Sequence, residues 1–160
     1  MMKRFFAAVV LTAMSVPAIA ESGPNVFLNG KVFKGDEVVA SFATPARLGS
    51  IVPVKDQIMQ HGVATGLEMR VTPMSIAGDR IIVAVKGSLT KLKGVDTVST
   101  SHSGLPMSVA LPKAAQEEFS RSFEVEKGIP VELDFGDCTW IEGVPTDCSH
   151  KFVLSVSVSN

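Results

Sequence analysis

Three histidines, two cysteines and a run of carboxylates are the residues of this 160-residue chain with the types to do chemistry. His102 stands between Ser101 and Ser103, so hydroxyls flank an imidazole, as a nucleophile and its base would require. Neighbours in an extended chain point to opposite sides, and they cannot assemble that pair on their own. His61 and His150 are remote from it in sequence. A solvated loop histidine is the simpler reading of His102. His150 follows Cys148 by two positions, but Cys138 is the only other cysteine. Two thiols and one imidazole fall short of a four-ligand zinc site, so no metal is expected, and His150 reads as an exposed neighbour of a disulfide. Glu117, Glu118, Glu124, Glu126, Glu132 and Asp134 form the acidic region. Paired carboxylates do acid–base work when their surroundings push their pKa values apart, whereas these fall on the polar side of alternating stretches, where water keeps them alike. No glycine-rich phosphate loop and no nucleophile elbow occurs. The expectation is a chain with no cofactor and no catalytic residues, hence not an enzyme.

The two cysteines are ten positions apart, and in an exported chain an even pair predicts a Cys138–Cys148 disulfide. Closing so short a loop removes about 2.5–3 kcal/mol of unfolded-state entropy, enough to pin the loop without dominating stability. Inside it lie Trp140, Ile141 and Val144. Such a group is either tucked against a sheet or displayed to a partner, and aromatic anchors dominate interfaces. These three are the candidate partner-binding residues.

The elements that must position these groups are strands. Leu67, Met69 and Val71 alternate with Glu68, Arg70 and Thr72; after Ala77-Gly78-Asp79, Ile81, Val83 and Val85 resume the period of two. This predicts a β-hairpin with one buried face, which demands a second apolar layer. Similar alternation over 37–42, 105–111 and 151–159 predicts further strands, the first ended by Pro45 and the second by Pro112; 47–54 follows the first and closes near Pro53, and Asn29-Gly30 predicts a tight turn. Phe123 and Val125, then Val131, Leu133 and Phe135, read as a second hairpin; 55–65 reads as loop, and 113–122, with Ala114-Ala115-Gln116-Glu117-Glu118, favours a short helix. Met59, Met69, Met74 and Met107 read as core filler. The prediction is an all-β single domain, an antiparallel β-sandwich or small barrel of eight to ten strands with at most one short helix.

Met1 to Ala20 joins Lys3 and Arg4 to an apolar run and a small-residue site at Ala18 and Ala20, a cleaved signal peptide. It predicts a periplasmic β domain over 21–160, with no transmembrane helix. Removing Lys3 and Arg4 from 15 basic residues leaves 13 against 16 acidic, a net charge of −3 with signs interspersed, so nucleic acid is not an expected partner.

Three segments, in order, resemble the C-terminal homology region of the secretins, the ring-forming outer-membrane channels of type II and III secretion and type IV pili. Ala43-Thr44-Pro45-Ala46-Arg47 with Val54-Lys55-Asp56-Gln57 is similar to the family's "SSPRV…NGQ" strand pair. Gly66 to Val85 resembles its "VTP…DG" hairpin through Val71-Thr72-Pro73 and Gly78-Asp79, and Leu111 to Gly136 resembles its "LP…TRS…DG…GG" segment. Asp137 stands where the family has a second glycine, and the cysteine-closed segment replaces the family's lip sequence. The resemblance implies a structural or accessory component of an envelope secretion, pilus or conjugation assembly, with envelope protein partners, outer-membrane association and homo-oligomers as its corollaries. The alternative is a free-standing periplasmic binding or inhibitory module that uses the disulfide loop.

Overall fold

A computed structural model describes residues 25–102 and 105–159. The leader over 1–20 and the serine at position 103 lie outside the described residues. The strands are β1 (Asn25–Lys34), β2 (Glu37–Arg47), β3 (Val52–Gln60), β4 (Val63–Ala77), β5 (Arg80–His102), β6 (Leu105–Glu126), β7 (Val131–Phe135), β8 (Thr139–Ile141), β9 (Val144–Thr146) and β10 (His150–Ser159). They form a first sheet in the order β2-β1-β10-β7, a second in the order β3-β4-β5-β6, and a separate β8-β9 ribbon. The fold is an all-β sandwich with antiparallel pairing, and among the described residues no helix is long and apolar enough to cross a membrane.

The alternation read from the sequence is what buries the core. In β4 and β5, Leu67, Met69, Val71, Ile81, Val83 and Val85 are buried, while Arg70 is exposed on the opposite face. Their cover comes from the first sheet, where Val26, Leu28, Val32, Phe152, Leu154 and Val156 join them in one cluster. Each such side chain contributes about 1.5–3 kcal/mol on burial. The turn at Gly78 has φ 61°, a left-handed position where glycine carries no Cβ penalty.

Several expectations are corrected. Asn29-Gly30 is not a turn but the middle of β1, because a Cβ at Gly30 would sit 2.4 Å from the Phe42 ring; glycine there lets two aromatic rings close over the strand. Strands do not stop at prolines: Pro45, Pro53, Pro106 and Pro112 lie within β2, β3 and β6, each an edge strand whose outward side asks for no donor, and Pro73 sits at a bulge in β4. The stretch 55–65 is strand and tight turn, with His61 (φ 49°) and Gly62 (φ 82°) both left-handed, as a type I′ hairpin requires. The helix expected over 113–122 is part of β6, held in register by β5 from Leu92↔Ala114 to Ala84↔Ser122; long-range pairing outweighs local propensity. Phe123–Val125 and Val131–Phe135 do not pair with each other. The first stays with β5 and the second crosses to β10, steered by Gly128, whose N–H donates to the Val156 carbonyl at 2.9 Å. Of the four methionines read as core filler only Met69 is buried; Met59, Met74 and Met107 are exposed.

The second sheet is longer than the sandwich. β4 accompanies β5 only as far as Thr90, and beyond it β5 and β6 continue alone to His102↔Leu105. This two-stranded arm carries Val98, Met107, Val109 and Leu111 exposed, with Lys113 paired to Asp96 across it at 2.6 Å. Opposed and diagonal positions place these four side chains on one face of the arm.

Candidate functional site

The ribbon is built by the disulfide at its neck. Cys138 and Cys148 are bonded and no cysteine is free. Next to the bridge, Asp137 and Ser149 add a double clasp: the Ser149 N–H donates to the Asp137 carbonyl at 2.9 Å, and the Asp137 N–H donates to Ser149 Oγ at 3.0 Å. At the far end Glu142 (φ 52°) and Gly143 (φ 81°) make the turn between β8 and β9. Opposed across the ribbon are Trp140↔Pro145 and Ile141↔Val144. Trp140, Ile141 and Val144 are 62%, 58% and 59% exposed, so the ribbon displays them rather than tucking them inward. Trp140 also borders a cleft of about 280 Å³ shared with Phe119, Leu133 and Phe135, where the ribbon meets the edges of both sheets.

A second concavity lies at the end of the sandwich, where Lys34 and His150 of the first sheet face Asp56, Gln60, Leu67, Leu89 and Lys91 of the second around about 370 Å³. His150, read from the sequence as exposed, is 8% exposed: its ring stacks on Phe135 at 5.3 Å, and Phe135 in turn lies 4.5 Å from Phe119. Gly136 (φ 88°) makes room for it, since a Cβ there would lie 2.4 Å from Ser149 Oγ and 3.1 Å from His150 Nδ1. Burial, and then the charges of Lys34 and Lys91, push His150 below the ordinary histidine pKa. The neutral ring is thereby favoured, and its Nδ1 shares a hydrogen bond with the Ser149 hydroxyl 2.9 Å away. Lys91 lies 2.6 Å from Asp137 and holds that carboxyl below the usual range.

Nothing in the spacing of Lys34, Asp56, Lys91 and His150 marks them as neighbours; the signal that could have found them is the pairing of β1 with β10, which sets Lys34 opposite His150. The structure does not bring the other histidines to this place. His61 is in the β3–β4 turn, and His102 ends β5 at the tip of the arm. Glu117, Glu118, Glu124, Glu126, Glu132 and Asp134 are all exposed, with Glu124 bonded to Arg80 at 2.9 Å and Glu132 to Lys151 at 3.0 Å. Among the described residues no cluster of three or more potential metal ligands occurs.

No family model matches the chain, and no solved structure matches it. Among curated proteins it is similar to one named nitric oxide reductase FlRd-NAD(+) reductase from Vibrio vulnificus, with 28% identity over 117 residues. The match covers 67% of this chain and 28% of that protein, so the chain spans little more than a quarter of the relative's length. The finding corrects one expectation. A chain read from its motifs as not an enzyme is similar to a protein named as a reductase.

Proposed function

We propose that the chain is a β-domain component of an envelope assembly, secretin-like in the order of its sequence motifs, that joins its partners through the edges of the second sheet and the displayed ribbon. The observation that carries this reading is the ribbon's apolar display, Trp140 on one face and Ile141 with Val144 on the other, each more than half exposed, on a ribbon held at its neck by a disulfide and a clasp. Ordering cost is already met there, which is what a preorganised binding surface provides. The arm supports the same reading, because a two-stranded ribbon with an apolar face is marginal in water by itself and gains from a neighbour. Export through a cleaved leader, location in the periplasm and outer-membrane association belong to this proposal. So do homo-oligomers and a secretion, pilus or conjugation apparatus as the setting. A free-standing periplasmic binding or inhibitory module would use the same ribbon and differ only in acting alone.

Trp140→Ala tests the proposal. An exposed indole contributes little to folding, so the melting temperature should stay within about 2 °C of wild type. Capture of envelope proteins should fall by about 2 kcal/mol or more, roughly thirtyfold, as for an anchor residue. A variant that still captures every partner would remove the ribbon from the proposal.

A second reading comes from the curated match, in which the relative's name couples a reductase to NAD(+). The chain would then act within an enzyme, and the cavity beside His150 is the concavity with polar groups and volume to hold part of a small molecule. Titration with NADH, read by its fluorescence, distinguishes this reading: saturable binding supports it, and none argues for the first.

A further inference from the structure

We propose that the cavity at the end of the sandwich binds a small apolar zwitterion of the amino acid or dipeptide class. The ionic groups around it can be sorted by whether they are already satisfied. Lys91 is 2.6 Å from Asp137 and 3.9 Å from Glu117, so its charge is matched within the protein. Lys34 on β1 and Asp56 on β3 also line the cavity, one from each sheet, and neither takes part in an ion pair among the described residues. Their side chains are exposed at the rim, one cation and one anion over a single concavity. A ligand with one charge would satisfy one and repel the other. A zwitterion satisfies both.

The remaining lining fits the same class. Leu67 and Leu89 are buried at the floor, and Ile58 and Leu92 add apolar wall, which suits an aliphatic side chain. The hydroxyl of Thr65 already donates to the Ile58 carbonyl at 3.2 Å, so it does not compete for the ligand. His150 also lines the cavity, opposite Lys34 in the register of β1 and β10, with its ring held by the Ser149 hydroxyl 2.9 Å from Nδ1. Gly66, at φ 114°, would place a Cβ 2.1 Å from the Asp56 carbonyl, so its lack of a side chain lets β3 lie against the cavity wall. The volume of about 370 Å³ is at the small end of ligand cavities, in proportion to one or two residues. The inference stands apart from the ribbon, which lies beyond the disulfide on the other side of Asp137 and Ser149.

The test is calorimetric titration of the whole protein with leucine and leucyl-leucine, against two singly charged analogues, leucinamide and N-acetyl-leucine. Saturable binding of a zwitterion, with both analogues weaker by about tenfold or more, is the expected result. Lys34→Gln and Asp56→Asn should each weaken the zwitterion by a similar factor while melting as wild type, since both side chains are exposed. Three results would overturn the proposal: no saturable heat up to roughly 10 mM zwitterion, an analogue that binds as well as leucine, or zwitterion binding unchanged in both variants.

Discussion

Gly136 shows how much one missing methyl group can hold in place. Its φ of 88° lies where only glycine is at ease, and a Cβ there would run into Ser149 Oγ and crowd His150 Nδ1. Gly136→Ala therefore carries backbone strain and a displaced histidine together, and should lower stability by about 1–3 kcal/mol, read as a shift in the urea midpoint at unchanged slope. A midpoint equal to wild type would mean that the Gly136 segment yields without disturbing its neighbours. At this scale the sequence was only half legible. The Cys138–Cys148 bridge followed from an even count and the expectation of export, and Trp140 stood out as the one tryptophan inside the closed loop. His150 did not stand out, because what buries it is Phe135 on a neighbouring strand, and local pattern contains no record of who lies beside whom.

The arm is an element with little claim on the core. From Lys91 and Ala115 outward β5 and β6 pair with no third strand, and the buried cluster draws from them only residues nearer the base, such as Leu89 and Val125. Replacing 95–111 by a short turn should leave a folded sandwich whose thermal melt lies within about 2–3 °C of wild type. Loss of cooperative melting would show that the arm is part of the folding unit. Elements were legible where apolar and polar residues alternate and opaque where they do not. The hairpin from Leu67 to Val85 declared its register by alternation, since a slip would turn Val83 and its neighbours to water. Within the arm 105–111 still alternates and reads as strand, whereas Ala114 to Glu118 has no alternation and reads as helix although β5 holds it extended. The pairing of β7 with β10 was hidden for a different reason. Phe135 needs the same core whichever sheet it joins, so its hydrophobicity fixes the face but not the neighbour.

At the scale of the whole molecule, stability should respond to acid through the joint between the two sheets. His150 has a folded pKa depressed below its ordinary value of 6.5, first by burial and then by Lys34 and Lys91, with Asp137 and Asp56 acting in the opposite sense. A depressed histidine contributes stability that is complete above the unfolded pKa and is lost as pH falls through the folded one, because the unfolded chain takes up the proton first. Urea midpoints taken between about pH 7.5 and pH 5 should therefore decline in wild type, and His150→Gln should flatten the part of the decline that begins near pH 6.5. An identical slope in both proteins would assign the loss to carboxylates instead. The prolines of the edge strands bear on how such molecules meet. Pro106 and Pro112 are six residues apart on an unbulged stretch of β6, so their nitrogens point the same way, and the ladder with β5 requires that way to be outward. Between them only Ser108 and Ala110 can offer an outward amide, whereas from Ala114 to Glu126 no proline interrupts the row. A strand adding to β6 can be zipped along its inner half but not along its outer part, so on that edge the arm is kept from pairing with others of its own kind.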